Sequence, residues 1–221
     1  MLPYHIQLQQ QFVLHADPAR AAGAKAYLLN QFEFYGIPMA ERRKVCRAFI
    51  KTNPLASINV VENVVKEAWK LPEREWQYFG IELLTHYKKQ WRISTIKLIE
   101  YCITHKSWWD TVDWIADAWA GEYFTLFPEQ TIAITGRWNR SDNMWLQRSS
   151  LLFQKKYKKT TDTKLLSKYI VHLSASKEFF IRKAIGWILR EYAKMDPAWV
   201  KNFVQSNELS SLSKREALKH L

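Results

Sequence analysis

Three short stretches of the chain carry residue types whose spacing can do chemistry. The first is Ser107-Trp108-Trp109-Asp110-Thr111-Val112-Asp113. Trp109 and Asp113 are four residues apart, so on a helix they lie side by side. A carboxylate next to an exposed indole can stabilise a cation that faces the pair; the plainer reading makes Asp113 an ordinary salt-bridge partner. Ser107 is a candidate N-cap with Asp110 near the helix start, and Trp108, Val112, Ile115 and Trp119 form one apolar stripe. The second stretch is a predicted helix from about Lys177 to Lys194. Ile181, Ala184, Ile185, Ile188, Leu189 and Tyr192 make its apolar face. Lys183, Trp187, Arg190 and Lys194 recur at i, i+4, i+7 and i+11 on nearly the opposite one. There the cations can grip phosphates while the indole stacks on a sugar or base; the alternative is an indole covered by aliphatic Lys and Arg stems. In the third, Arg148 is followed by Lys155, Lys156, Lys158 and Lys159. Arg148, Lys155 and Lys159 are spaced for one helical face, which suits an Arg clamp on phosphate with a flanking basic track, or equally a solvated charged face.

Other chemistry is thin. The chain has no phosphate-cradling Gly-rich loop, no His-Glu-x-x-His pair and no Ser/His/Asp spacing. His86 and His105 are isolated, and Cys46 and Cys102 are the only cysteines, so neither a disulfide framework nor a zinc site is expected. The expectation is no metal and no cofactor.

The elements that must hold these residues read as helical almost throughout. Apolar residues recur at three and four, as in Val60, Val61, Val64, Val65 and Trp69. Asp17-Pro18, Leu71-Pro72-Glu73 and Asp196-Pro197 are helix-start signals. With six glycines and seven prolines, the chain lacks the punctuation that many short strands need. Segments headed by Trp76, Trp109, Trp145 and Phe180 resemble one another at spacings of 33, 36 and 35 residues. That is a helical-hairpin period, somewhat shorter than in typical HEAT repeats. One hairpin cannot bury its apolar face alone, so neighbours stack. The predicted fold is all-α: HEAT-like helical-hairpin repeats in a curved solenoid with a basic concave face, one domain over 1–221. A compact bundle with accidental similarity is the alternative. Trp76, Trp114, Trp119 and Trp145 sit among apolar neighbours and read as packing residues.

Lys plus Arg number 33 against 21 Asp plus Glu, a net charge of +12. Such a surplus attracts polyanions, nucleic acid first and an anionic membrane second. The amino terminus lacks the basic stretch and apolar run of a signal peptide, and no apolar segment reaches the roughly 20 residues of a membrane span. A soluble, cytoplasmic protein is expected. The helix-like pattern from Ser213 runs to Leu221, which suggests a natural terminus further on.

The same stretches closely resemble the AlkD-type DNA alkylation repair enzymes. The match runs through Lys106 to Asp113, Ser141 to Arg148, Ser176 to Phe180 and Ala184 to Lys194, with Phe34-Tyr35-Gly36-Ile37, Glu41-Arg42-Arg43 and Leu71 to Glu75 nearer the amino terminus. It covers essentially the whole chain. The resemblance implies a HEAT-like solenoid that binds duplex DNA, as a monomer, and a monofunctional glycosylase that removes cationic N3- or N7-alkylated purines. It implies Asp113 as the catalytic carboxylate and Trp109 and Trp187 as the aromatics at the lesion. Arg148 then contacts phosphate, and Tyr27, Lys156 and Arg190 support DNA binding, with Lys183 and Lys194 beside them on the basic face. Pro38 departs from a polar residue expected in the loop after Gly36-Ile37, which leaves a minor-groove contact open. In a cationic groove Asp113 is expected to stay ionised. Composition alone also allows a non-catalytic helical-repeat scaffold that binds nucleic acid or protein.

Overall fold

The computed structural model describes residues 1–221 and is all-helical, with fourteen α-helices and no strand. The helical-repeat class expected from the spacing is what the chain adopts. It divides into two compact units, Met1–Leu98 and Ile99–Leu221.

The first unit holds α1 (Pro3–Leu14), α2 (Pro18–Tyr27), α3 (Met39–Thr52), α4 (Ile58–Ala68), α5 (Arg74–His86) and the start of α6 (Ile96–Thr104). Asp17 caps α2 as expected, accepting the Ala19 and Arg20 amides, and Pro18 takes the first helical position. Pro72 does not: α5 starts at Arg74, two residues later. Phe12, Phe49, Trp76 and Phe79 are buried together, with Trp76 4.9 Å from Phe12 and 6.2 Å from Phe79 between centroids. Val61, Val64, Val65 and Trp69 join this core, whereas Val60 faces out. The loop between α2 and α3 is irregular but tied down. The buried Glu75 carboxylate accepts the amides of Tyr35, Gly36 and Ile37 at 3.2, 2.9 and 3.3 Å. Gly36 is at φ +84°, and a Cβ there would meet the Asp17 carbonyl oxygen at 2.2 Å, so only glycine fits.

The second unit holds most of α6, then α7 (Trp109–Ile115), α8 (Gly121–Leu126), α9 (Thr131–Asn139), α10 (Met144–Leu152), α11 (Thr163–Leu173), α12 (Phe179–Tyr192), α13 (Pro197–Ser206) and α14 (Ser211–Ala217). A π-helical turn at Ala116–Ala120 joins α7 to α8. Helix α10 packs on α7, α9 and α12, and α12 packs on α14. Gly186 makes the last contact possible: a Cβ there would come within 2.4 Å of the Glu216 Cβ and 2.8 Å of the Ser213 carbonyl oxygen. Val112, Ile115 and Trp119 are buried along the expected stripe, as are Ile181, Ala184, Ile185, Ile188 and Leu189; Tyr192 is only partly covered.

Candidate active site

Asp113 and Arg148 form a largely buried ion pair in the second unit. Arg148 Nε donates to Asp113 Oδ1 at 2.6 Å and Nη2 to Oδ2 at 2.8 Å. The side chains are 13% and 5% exposed. This bidentate fork matches the plane of a carboxylate. Arg148 Nη1 donates in addition to the Phe180 carbonyl oxygen in the first turn of α12. One guanidinium thus links α7, α10 and α12. Burial is the largest influence on the Asp113 carboxyl and pushes it above the ordinary aspartate range; Arg148 and Lys155 pull it back only in part. The direction is opposite to the one that charge alone predicts, because the carboxylate is largely out of water.

Trp109, one turn before Asp113 on α7, and Trp187 on α12 are both partly exposed. Trp187 does not draw its cation from its own helix. Lys155, from the turn after α10, places its Nζ 4.3 Å from the Trp187 ring centroid. The same ammonium lies 2.8 Å from Asp117 Oδ2, and Lys156 lies 3.1 Å from Asp117 Oδ1.

The cations expected along α12 are turned toward carboxylates. Lys183 Nζ and Arg190 Nη1 lie 3.1 and 2.9 Å from Glu216 on α14, and the two hold that carboxyl below its usual range, Lys183 most strongly. Lys194 pairs with Glu191 at 2.7 Å. All three keep some exposure, and pairs open to water hold their partners weakly. Tyr27 ends α2 in the first unit and is 71% exposed.

Two local expectations change. Ser107 is not the N-cap of α7. Trp108 holds that position without a side-chain cap, and the Ser107 hydroxyl donates back to the Ile103 carbonyl. Arg148, Lys155 and Lys159 do not share a helical face, since α10 stops at Leu152. Gln154 then bonds both the amide and the carbonyl of Asp162, and Lys158 adopts φ +54°, so the chain turns instead of continuing. Trp145 packs as expected, in an aromatic group with Trp108 and Phe180 at centroid distances of 5.0 to 5.8 Å. Sequence reasoning missed Asp117 and Glu216. The i, i+4 spacing of Asp113 and Asp117 in the sequence was the available signal for the first; nothing local marks the second.

No cluster of three or more His, Cys, Asp or Glu residues is arranged to hold a metal ion. No helix is long and apolar enough to cross a membrane.

An all-helical repeat protein with an arginine-clamped aspartate and two partly exposed tryptophans defines a narrow class, and comparison with known proteins names it. The family described as DNA alkylation repair enzyme matches residues 8–221, and the chain belongs to it. Among solved structures, a "predicted DNA alkylation repair enzyme from Enterococcus faecalis" is 31% identical, with a TM-score of 0.88, over 94% of this chain and 97% of that one. No curated protein matches.

Proposed function

We propose that the chain is a monofunctional DNA glycosylase that hydrolyses the N-glycosidic bond of cationic N3- or N7-alkylated purines in duplex DNA. The observation that carries this reading is the Asp113 carboxylate, held by Arg148 on the α7 turn that also bears Trp109. An alkylated purine such as N7-methylguanine is already positively charged. When its C1′–N9 bond breaks, the bonding electrons pass to the base, which leaves neutral without needing an acid. Positive charge grows on the sugar, and a fixed anion beside C1′ stabilises it, as carboxylates do in glycoside hydrolysis. Water then adds to C1′, and its proton passes to Asp113 or to solvent. Trp109 and Trp187 offer ring faces to the cation.

In this reading Arg148 serves the carboxylate directly, by fixing its plane and opposing its protonation. Its remaining N–H groups are its means of reaching a phosphate. In the second unit Lys156, Lys183, Arg190 and Lys194 contact DNA, exchanging their carboxylate partners for phosphates, and in the first unit Tyr27 does so separately. The test compares release of N7-methylguanine and of uncharged hypoxanthine from otherwise identical duplexes. Release of the first and not the second is expected. Equal release of both would overturn the charge-based mechanism, and release of neither would return the chain to a non-catalytic DNA-binding scaffold.

A further inference from the structure

Lys155 meets an anion on one side and an aromatic face on another. Its side chain is 15% exposed, 2.8 Å from Asp117 and 4.3 Å from the Trp187 ring centroid. Asp117 sits in the π-helical turn, four residues past Asp113, and its side chain is 12% exposed. Such turns, with their extra residue per turn, recur at functional sites. A cavity of about 80 Å³ lined in part by Gln154, Lys155, Ile188 and Tyr192 adjoins the lysine, so without Asp117 the ammonium has another place to go.

The charge of this arrangement matters as much as its geometry. A site for alkylated purines must accept a cation, yet Lys155 places a second one 4.3 Å from the Trp187 ring centroid. A bare ammonium there would oppose positive charge on the sugar. A carboxylate 2.8 Å away turns it into an ion pair whose field falls off much faster. Lys156 is 65% exposed and lies 3.1 Å from the other oxygen of the same carboxylate; its ammonium is screened by water, so it weighs less in this balance.

Resting on the glycosylase reading, we propose that Asp117 and Lys155 are positioning residues: Lys155 seats the Trp187 indole, and Asp117 holds Lys155 there while offsetting part of its charge toward the lesion. Neither touches the reacting atoms. The arrangement explains why a lysine is tolerated beside a site for a cationic substrate.

The test has one arm that needs no activity. In ¹⁵N-labelled protein the Trp187 indole N–H resonance is assigned by its loss in Trp187→Phe. Asp117→Asn and Lys155→Met each move that resonance, while Lys155→Arg, which can stack on the indole and pair with Asp117, leaves it near its original position. An unmoved resonance in both of the first two variants, with helicity unchanged by circular dichroism, overturns the proposal. The second arm is single-turnover release of N7-methylguanine. Asp117→Asn slows it on the order of tenfold, the scale of a desolvated cation–π contact, without weakening DNA affinity. Combining it with Lys155→Met recovers part of the rate, because the uncompensated charge is gone. A double variant no faster than Asp117→Asn alone contradicts the charge-offsetting role. If the unaltered protein releases no N7-methylguanine, the glycosylase reading fails, and the indole resonance still decides whether Asp117 and Lys155 seat Trp187.

Discussion

At the scale of single residues, Asp113 is set by two opposed influences. Burial raises its carboxyl and Arg148 lowers it, with burial ahead. In the proposed mechanism the reactive form is the carboxylate, so the rate should rise with pH through an acid limb lying above the ordinary aspartate range. Removing the guanidinium in Arg148→Gln should move that limb further toward neutral pH, as read from single-turnover rates across pH. A limb that stays in place would show that Arg148 does not govern the ionisation. The same pair bears on stability. Deleting one partner of a buried ion pair costs about 3–5 kcal/mol, and urea titration of Arg148→Ala should show a loss of this order. The sign with pH follows from linkage: a carboxyl raised on folding favours the native state below its unfolded value and loses that benefit as pH rises through its folded one. Arg148→Ala raises it further, so the destabilisation should grow with pH. The spacing of Trp109 and Asp113 was readable in sequence as helix neighbours. The direction of the Asp113 shift was not, because it depends on tertiary packing, including α10, whose Arg148 is distant in sequence from Asp113.

At the scale of elements, helices were legible where a polar cap or proline marks a start, as at Asp17 and Asp196. They were least legible where side chains end them. The turn after α10 contains no glycine or proline, is built by Gln154 bonding across to Asp162, and includes a lysine at positive φ. This turn, and not a helical face, delivers Lys155 to Trp187. The π-helical turn at Ala116–Ala120 is likewise invisible to a 3.6-residue pattern, and it carries Asp117. The α12–α14 contact depends on Gly186. Gly186→Ala must push against the Ser213 backbone 2.8 Å away, and overpacking of this kind costs about 1–3 kcal/mol. Thermal unfolding should show the loss. Because Glu216 on α14 holds Lys183 and Arg190, shifting α14 also frees both cations, and DNA affinity should not fall. A variant as stable as the parent would contradict the close packing.

At the scale of the whole molecule, the scarcity of glycine and proline and the recurring aromatic-headed segments made the all-helical repeat class readable. Pairing between distant charges was not readable: Glu216 collects Lys183 and Arg190 across 26 or more residues, and no local pattern announces it. The net charge of +12 predicts that DNA affinity falls steeply with salt, by roughly 0.9 in log K per unit of log salt for each phosphate neutralised. Lys156→Ala should weaken binding and reduce that slope by about one. A salt titration with no slope would exclude phosphate contacts as the source of affinity.

The central claim is that the anion on Asp113 accelerates bond cleavage and is not needed for binding. Asp113→Asn keeps the shape and removes the charge. Stabilisation made mainly in the transition state affects the chemical step more than ground-state affinity, and loss of one electrostatic partner costs on the order of 10²–10³ in rate. The measurement is single-turnover release of N7-methylguanine from duplex DNA at saturating enzyme, with affinity for the same duplex measured in parallel. A rate on the order of 10²–10³ lower with affinity equal or tighter is the predicted result. Equal rates for the two proteins would contradict it and remove Asp113 from the mechanism.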